Sequence, residues 1–500
     1  MNVSTMQKMF AWTLLLFIST ACGQGASDKT QRSDNAPSAP AAKVSVDGDI
    51  EGAGAKTAAE EKIPKVEKIL VVLVDALRAD KLGCYGFDEP TSPAIDKLAK
   101  ESILFEQVHA ASPWTAPSFG TLFTGVSPMV HGAGKMLGRN GSGGKEVHGV
   151  TVGGLRNDLP TLAELLPKNM RKGAVINNSF VCRELGFAKG FDDFDFKIAR
   201  LTQYRTADEV TDIAIQWLDE NGSRPFFYFL HYFDPHIQYA PPKKYLPQFA
   251  PNRPPRIAYP FTDHAGARDG SLNPTEAEKA FIRGLYHGEV RFVDDELSRL
   301  LAHMDKLKLL DDTWIVFISD HGEELFEHGS FDHGHRYEEE VVRVPWIIRA
   351  PGGAWKAGTR IAANVSHVDF FATLLDMAKV DLPAHAEGKS VLPMIAGDDT
   401  ASRVSYMEYN LFRGQQCAMF DGRRKIIYDI RRESAFGYDL KVDPAEQQRL
   451  SETTPEIEKL KKMMFEKRNT LEQVMKDKSH NNATLSDESR DALKSLGYIE

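Results

Sequence analysis

The stretch SPWTAPSFGTLFTG, residues 112–125, carries a hydroxyl, Thr115, two residues before Pro117 and ten before Gly125. Proline suits the first turn of a helix and glycine its end, so the spacing predicts a helix that begins beside Thr115 and stops at Gly125. A helix start offers unpaired N–H groups and the positive end of a dipole, which suit an anionic ester and place Thr115 as a nucleophile. A second stretch, SDHGEELFEHGSFDHGHRYEEEVVRVP, opens with Asp320 and His321 and holds His328, His333 and His335 as well, four histidines within fifteen residues. A carboxylate beside an imidazole supplies hard and borderline donors for a divalent cation. The plainer reading is a polar loop with solvated histidines. Asp75 follows the run ILVVLV, and His231 and His236 fall in HYFDPHIQY.

These residues share a location in the predicted elements. ILVVLV, PFFYFLHYF and TWIVFISD are continuous apolar runs, the pattern of strands buried on both faces. GAVINN and VRVPWIIRAP are further strands. Helices are predicted at LPTLAELLPKNMRK, at TADEVTDIAIQWLDENG with Thr206 as cap and Gly222 at its end, and over a long region near 274–310. Strands alternating with helices argue for a mostly parallel sheet covered on both sides. In open α/β sheets ligands gather outside the carboxyl ends of the strands. Asp75, the pair His231 and His236, and Asp320 with His321 all fall at such ends. His231, at odd spacing from His236, is expected to be packed or structural. Arg78, in DALRAD, can bind an anion or pair with a neighbouring acid.

At this point the chain resembles a known family. VDALRADKLGCYGFDEPTSPAIDKLAKESILFEQVHAASPWTAPSFGTLFTG is similar to the amino-terminal signature of the sulfatase family, within the alkaline phosphatase superfamily. The likeness continues in order through HYFDPHIQYAPP, SDHGEELFEHG, RVPWIIRAPG and KIIYDIRRESAFGYDLKVDPAEQQRL. It implies a mostly parallel central sheet flanked by helices, with a small carboxy-terminal α+β subdomain. The family's C/S-x-P-x-R motif, whose first residue becomes formylglycine, is TAPSF here: Thr115 holds the nucleophile position and Phe119 that of the arginine. Threonine is no precursor of formylglycine, so that cofactor is not expected. The family's paired aspartates are Asp75 and Ala76. The set Asp75, Thr115, Asp320 and His321 instead resembles superfamily members that attack phosphoesters with a metal-bound threonine. It implies one divalent ion, calcium, manganese, magnesium or zinc, on those four residues. His236 is expected to protonate the leaving group or bind a non-bridging oxygen. His333 falls where the family places a lysine, which favours a substrate ligand, with general acid or second-metal roles also open to His333 and His335.

Composition bounds the rest. The 500 residues allow about three domains of ~150 residues, or one large α/β body with an appendage. A formal net charge of -9, without a basic block, argues against nucleic acid as a partner. Lys8 precedes an apolar run of about a dozen residues, too short to span a bilayer and suited to an export signal. Ser19, Thr20 and Ala21 then precede Cys22, resembling a bacterial lipoprotein signal with Cys22 as the lipidated residue. The expected organisation is a signal over 1–22, a flexible linker over 23–66, a catalytic domain over 67–398 and a carboxy-terminal subdomain with helical tail over 399–500. The linker lacks the apolar residues needed to offset its ordering entropy. Cys84, Cys182 and Cys417 show no metal-type spacing and favour no disulfide. The expected protein is a lipid-anchored enzyme of the bacterial cell envelope, hydrolysing phosphate or sulfate esters of a glycan or lipid, with phosphate the better fit. A phosphoalcohol transferase and a catalytically inactive binding protein are the alternatives.

Overall fold

In a parallel sheet buried on both sides, successive side chains of one strand must satisfy two different cores. The computed structural model describes residues 67–137, 151–200, 203–236, 238–411, 415–479, 481–483 and 485–495. The signal, Cys22 and the linker over 23–66 lie outside the described residues. The central strands are β1 (Lys68–Val74), β2 (Ile103–His109), β3 (Arg171–Ile176), β4 (Asp193–Phe196), β5 (Phe226–Tyr232), β6 (Trp314–Ser319), β7 (Trp346–Arg349) and β8 (Thr359–Ser366). They form one sheet in the order β8-β2-β7-β6-β1-β5-β3-β4. Every neighbouring pair is parallel except those of β7, which is antiparallel to both β2 and β6.

Along β1 the two cores separate cleanly. Ile69, Val71 and Leu73 point into one with Phe119, Leu122 and Phe123 of α2 (Thr115–Thr124) and Phe370 and Leu374 of α5 (His367–Met377). Leu70, Val72 and Val74 point into the other. There they meet α1 (Pro93–Lys100), α3 (Ala207–Asn221) and the long α4 (Glu276–Lys306). Each fully buried side chain of this kind contributes roughly 1.5–3 kcal/mol.

The helix α3 begins after Thr206 and closes at Gly222, as its sequence predicts. The helix expected over LPTLAELLPKNMRK is corrected to a single turn, Leu162–Leu165. Pro167 explains the stop: the residue before a proline is driven out of the helical region, and Leu166 sits at φ -60, ψ 151. Cys84, Cys182 and Cys417 are free thiols. Among the described residues no helix is long and apolar enough to cross a membrane.

A second, antiparallel sheet follows in the order β9 (Ser405–Glu408), β10 (Gln416–Phe420), β11 (Arg424–Asp429), β12 (Ser434–Asp439) and β13 (Leu450–Ser451). One of its faces, with Cys417, Met419, Ile426 and Tyr428, packs on α6 (Pro455–Met475). The other, with Ala418, Phe420 and Ile427, covers Tyr337, Val341 and Val342 of the histidine-rich segment. Lys425 pins that contact. Its fully buried Nζ lies 2.6 Å from Glu339 and 2.8 Å from Glu446, and donates to the Tyr337 carbonyl at 2.9 Å. Burial opposes the ammonium charge, but the two carboxylates outweigh it and raise its pKa well above the ordinary lysine value. Lys425→Met leaves the buried Glu446 carboxylate without its counter-ion and Glu339 with His109 alone, so it is expected to cost about 3–5 kcal/mol in denaturant unfolding.

Candidate active site

The strand register brings the acids together. Val74 pairs with Ser319, so Asp75 and Asp320 leave adjacent parallel strands side by side, and the Asp75 N–H is held by the Tyr232 carbonyl of β5 at 2.9 Å. Ala76, one residue on, takes φ +54, a conformation costing about 1–3 kcal/mol for a residue with a β-carbon. It aims the Ala76 N–H at Asp320 Oδ1, 3.3 Å away. Thr115 is the first residue of α2, which closes at Gly125 with φ +70. By helix geometry the amides of Thr115 and Ala116 have no intrahelical acceptor, and Pro117 has no N–H to lose.

In each carboxylate one oxygen is satisfied and the other is not. Asp75 Oδ2 accepts from Asn178 Nδ2 at 2.9 Å and from His231 Nε2 at 3.2 Å; Asp75 Oδ1 has no hydrogen-bond partner. Asp320 Oδ1 accepts from the N–H groups of Ala76 and, at 2.9 Å, His321; Asp320 Oδ2 has none. Both orphaned oxygens face one atom, His321 Nε2, at 3.4 and 3.5 Å. Thr115 Oγ1 lies 3.2 Å from the same nitrogen. The other ring nitrogen, Nδ1, donates to the Gly322 carbonyl at 2.8 Å, which leaves Nε2 of the neutral ring as a lone-pair donor. Three carboxylate and imidazole ligand atoms of Asp75, Asp320 and His321 lie within 4.8 Å of one another, all fully buried. Buried acceptors without partners are costly, and a divalent cation is the group that this donor set fits.

The electrostatics agree. Burial works against the charge of Asp75, but His236, His231 and His321 outweigh it and hold its carboxyl well below the usual range. Burial and the Asp75 charge push Asp320 up to about 6.

One partner escaped the sequence reading. Asn178, just past β3, bridges Asp75 and Thr115, its Nδ2 lying 3.3 Å from Thr115 Oγ1. His231 is structural as expected, but what it orients is Asp75: its Nδ1 accepts from the Asn177 N–H, so Nε2 carries the proton given to Asp75. Such partners of ligands change activity by about 10–100-fold. His231→Ala is therefore expected to lower kcat and metal affinity by roughly that factor with the fold retained. Phe119, in the place of the family's arginine, is fully buried with its ring edge-on to His231 at 5.2 Å.

The histidine-rich segment divides. The His333 ring lies 4.4 Å from that of His321 and 4.9 Å from that of His236, so the three rings form one buried cluster. His335, expected as a substrate ligand, is turned away: its nitrogens engage Glu324 at 2.9 Å and the His333 carbonyl at 3.1 Å. Arg78 takes the second of its two expected roles, pairing with acids. Its guanidinium is buried and engages Asp80 twice at 2.8 Å, Glu327 at 2.7 Å and the Glu323 carbonyl at 2.9 Å. His328 pairs with Glu340 at 2.6 Å.

Comparison with known proteins follows this geometry. The family pattern described as Sulfatase matches residues 67–380. The chain belongs to the sulfatase family. A second pattern, described as N-sulphoglucosamine sulphohydrolase, C-terminal, matches residues 326–476 and takes in the antiparallel sheet. An N-acetylglucosamine-6-O-sulfatase of Bacteroides thetaiotaomicron is 25% identical, over 80% of this chain and 85% of its own. Human iduronate 2-sulfatase is 27% identical, over 66% and 68%. A phosphonate monoester hydrolase of Agrobacterium radiobacter shares the fold at a TM-score of 0.63 and 19% identity, covering 81% of this chain and 95% of that one. This sulfatase-family protein is thus an ester hydrolase by kinship, and the metal dependence of the family meets a donor set able to hold a metal.

Proposed function

We propose that this sulfatase-family hydrolase cleaves phosphate esters in preference to sulfate esters, with Thr115 as nucleophile and without formylglycine. The observation that carries this reading is the convergence of Asp75 Oδ1, Asp320 Oδ2 and Thr115 Oγ1 on His321 Nε2. Asp75, Asp320, His321 and the Thr115 hydroxyl would hold one divalent ion, which supplies Lewis acidity and lowers the hydroxyl pKa.

The remaining steps belong to the chain. Asn178 holds the Thr115 oxygen in place, and the α2 amino terminus meets the ester's non-bridging oxygens. Thr115 Oγ, its proton released to solvent, forms a bond to phosphorus as the bond to the alcohol oxygen breaks, and His236 gives a proton to the departing alcohol. A phosphothreonine results. Water then attacks the same phosphorus and returns a proton to His236, the Thr115 oxygen leaves and takes up a proton from solvent, and phosphate is released. A formylglycine hydrate can expel sulfate through its second hydroxyl; threonine has only one, so its ester must be cleared at the central atom. Phosphorus suits that second displacement.

A relative in Trinickia caryophylli, 26% identical over 47% of this chain and 53% of its own, is named a multifunctional alkaline phosphatase superfamily protein. The segment around Cys22 supports placement on a membrane of the bacterial envelope, where anionic glycans or lipids supply the ester. The test is one panel: aryl phosphate monoester, phosphodiester, phosphonate ester and sulfate ester, with and without an alcohol acceptor. A phosphorus ester is expected to give the highest kcat/KM. A sulfate ester in first place overturns the preference, and a product joined to the added alcohol identifies a transferase.

A further inference from the structure

Beside the cluster that receives Thr115 stands another built the same way. Glu323 lies just after β6, and Asp332 ends, and His333 follows, the short hairpin formed by Glu324–Leu325 and Phe331–Asp332. Glu323 Oε1 is 3.1 Å and Asp332 Oδ1 3.0 Å from His333 Nδ1. The three ligand atoms lie within 4.8 Å of one another and all three side chains are fully buried. Two carboxylates thus converge on one imidazole nitrogen, as Asp75 and Asp320 do on His321. We propose that Glu323, Asp332 and His333 hold a second divalent cation, a borderline ion such as zinc or manganese, beside the first, the rings of His333 and His321 lying 4.4 Å apart.

Hydrogen bonding separates this reading from a plain ion pair. One N–H on His333 Nδ1 cannot serve two carboxylates well, and Glu323 Oε2, also buried, has no partner at all. Close by, His264 is 5% exposed and neither of its ring nitrogens has a hydrogen-bond partner. It packs among Tyr239, Phe261 and Phe331, the last being the residue that precedes Asp332. Arg268 occupies the outer oxygen of Asp332 at 2.6 Å, so Oδ1 is the oxygen turned inward. Asp332 Oδ1 also accepts from the His333 N–H at 2.7 Å, so the acceptor left over is Glu323 Oε2, which a cation satisfies and the one shared proton on His333 Nδ1 does not. Mixed carboxylate and imidazole donors suit zinc or manganese better than calcium.

The role of such an ion rests on the reading above. With His333 Nδ1 directed to the cation, any contact of that ring with an ester oxygen goes through Nε2. Two adjacent cations would favour a phosphoryl group over a sulfuryl group, which carries less charge. Occupancy is measured without turnover. The metal-stripped full chain is dialysed against zinc and its zinc content determined, then crystals of the zinc-loaded protein are measured at the zinc absorption edge. Two zinc ions per chain are expected, one anomalous peak lying among Asp75, Asp320 and His321 and one among Glu323, Asp332 and His333. Glu323→Gln and Asp320→Asn should each retain one ion, at the opposite site. A single peak at the Asp75 cluster overturns the second site and leaves the first. A single peak at the Glu323 cluster supports the second and overturns the first. Absence of both overturns both readings, and the wild-type crystal decides even where a variant fails to fold.

Discussion

Thr115→Ala is expected to lower kcat by about 10⁴-fold or more while leaving the melting temperature close to that of the wild type, because removal of a covalent nucleophile abolishes the first displacement. Its hydroxyl takes part in no packing that an alanine would disturb: Oγ1 meets only polar partners, Asn178 and His321. Thr115→Ser keeps the oxygen and is expected to retain most of the rate. Single-turnover kinetics on an aryl phosphate check both variants. Alanine activity within about tenfold of wild type removes Thr115 from the chemistry, since general electrostatic catalysis without the nucleophile leaves only a small residue of the rate.

Asp320→Asn carries the second large effect. The asparagine carbonyl can still accept from the Ala76 and His321 N–H groups, so the change is confined to Oδ2, the oxygen with no partner in the protein. Lewis-acid stabilisation is worth several kcal/mol, so its loss is expected to lower kcat by about 10³-fold. Metal content should fall with it. Stability should move the other way. In the metal-free protein burial and Asp75 push the Asp320 carboxyl up to about 6, above its ordinary value of 3.8. The folded state therefore keeps a proton that the unfolded chain releases, and stability falls as pH rises from about 4 through 6. Above that range the metal-free variant is expected to be more stable than metal-free wild type, and near pH 4 the difference should vanish. Thermal melts across this range, in chelator, measure it. A wild-type rate unaffected by exhaustive chelation contradicts the metal assignment altogether.

The sheet and the ends of its strands were legible because their signals are local. Continuous apolar runs such as ILVVLV and TWIVFISD specify strands buried on both faces, and such a strand must end at its first charged residue, Asp75 or Asp320. The Pro117 and Gly125 punctuation fixed α2 and hence Thr115. What stayed hidden depends on which distant group each side chain meets. Arg78 and His335 look available in sequence, yet Asp80, Glu327 and Glu324 engage them in the fold. Asn178 carries no signal of its own and gains its place only through the pairing of β3 with β5. His231 lies opposite Leu73 in the β1–β5 register, two residues before Asp75, and that register is what lets it reach the carboxylate. The turn beyond Leu165 shows the reverse: the apolar spacing was helical, and one proline outweighed it.

The stereochemical course at phosphorus tests the central claim most directly. An aryl phosphorothioate made chiral with oxygen isotopes is turned over in isotopically labelled water, and the configuration of the released thiophosphate is determined. Two in-line displacements, first by Thr115 and then by water, each invert the centre, so net retention is expected. Net inversion would mean a single direct attack by water, and Thr115 would then not be the nucleophile.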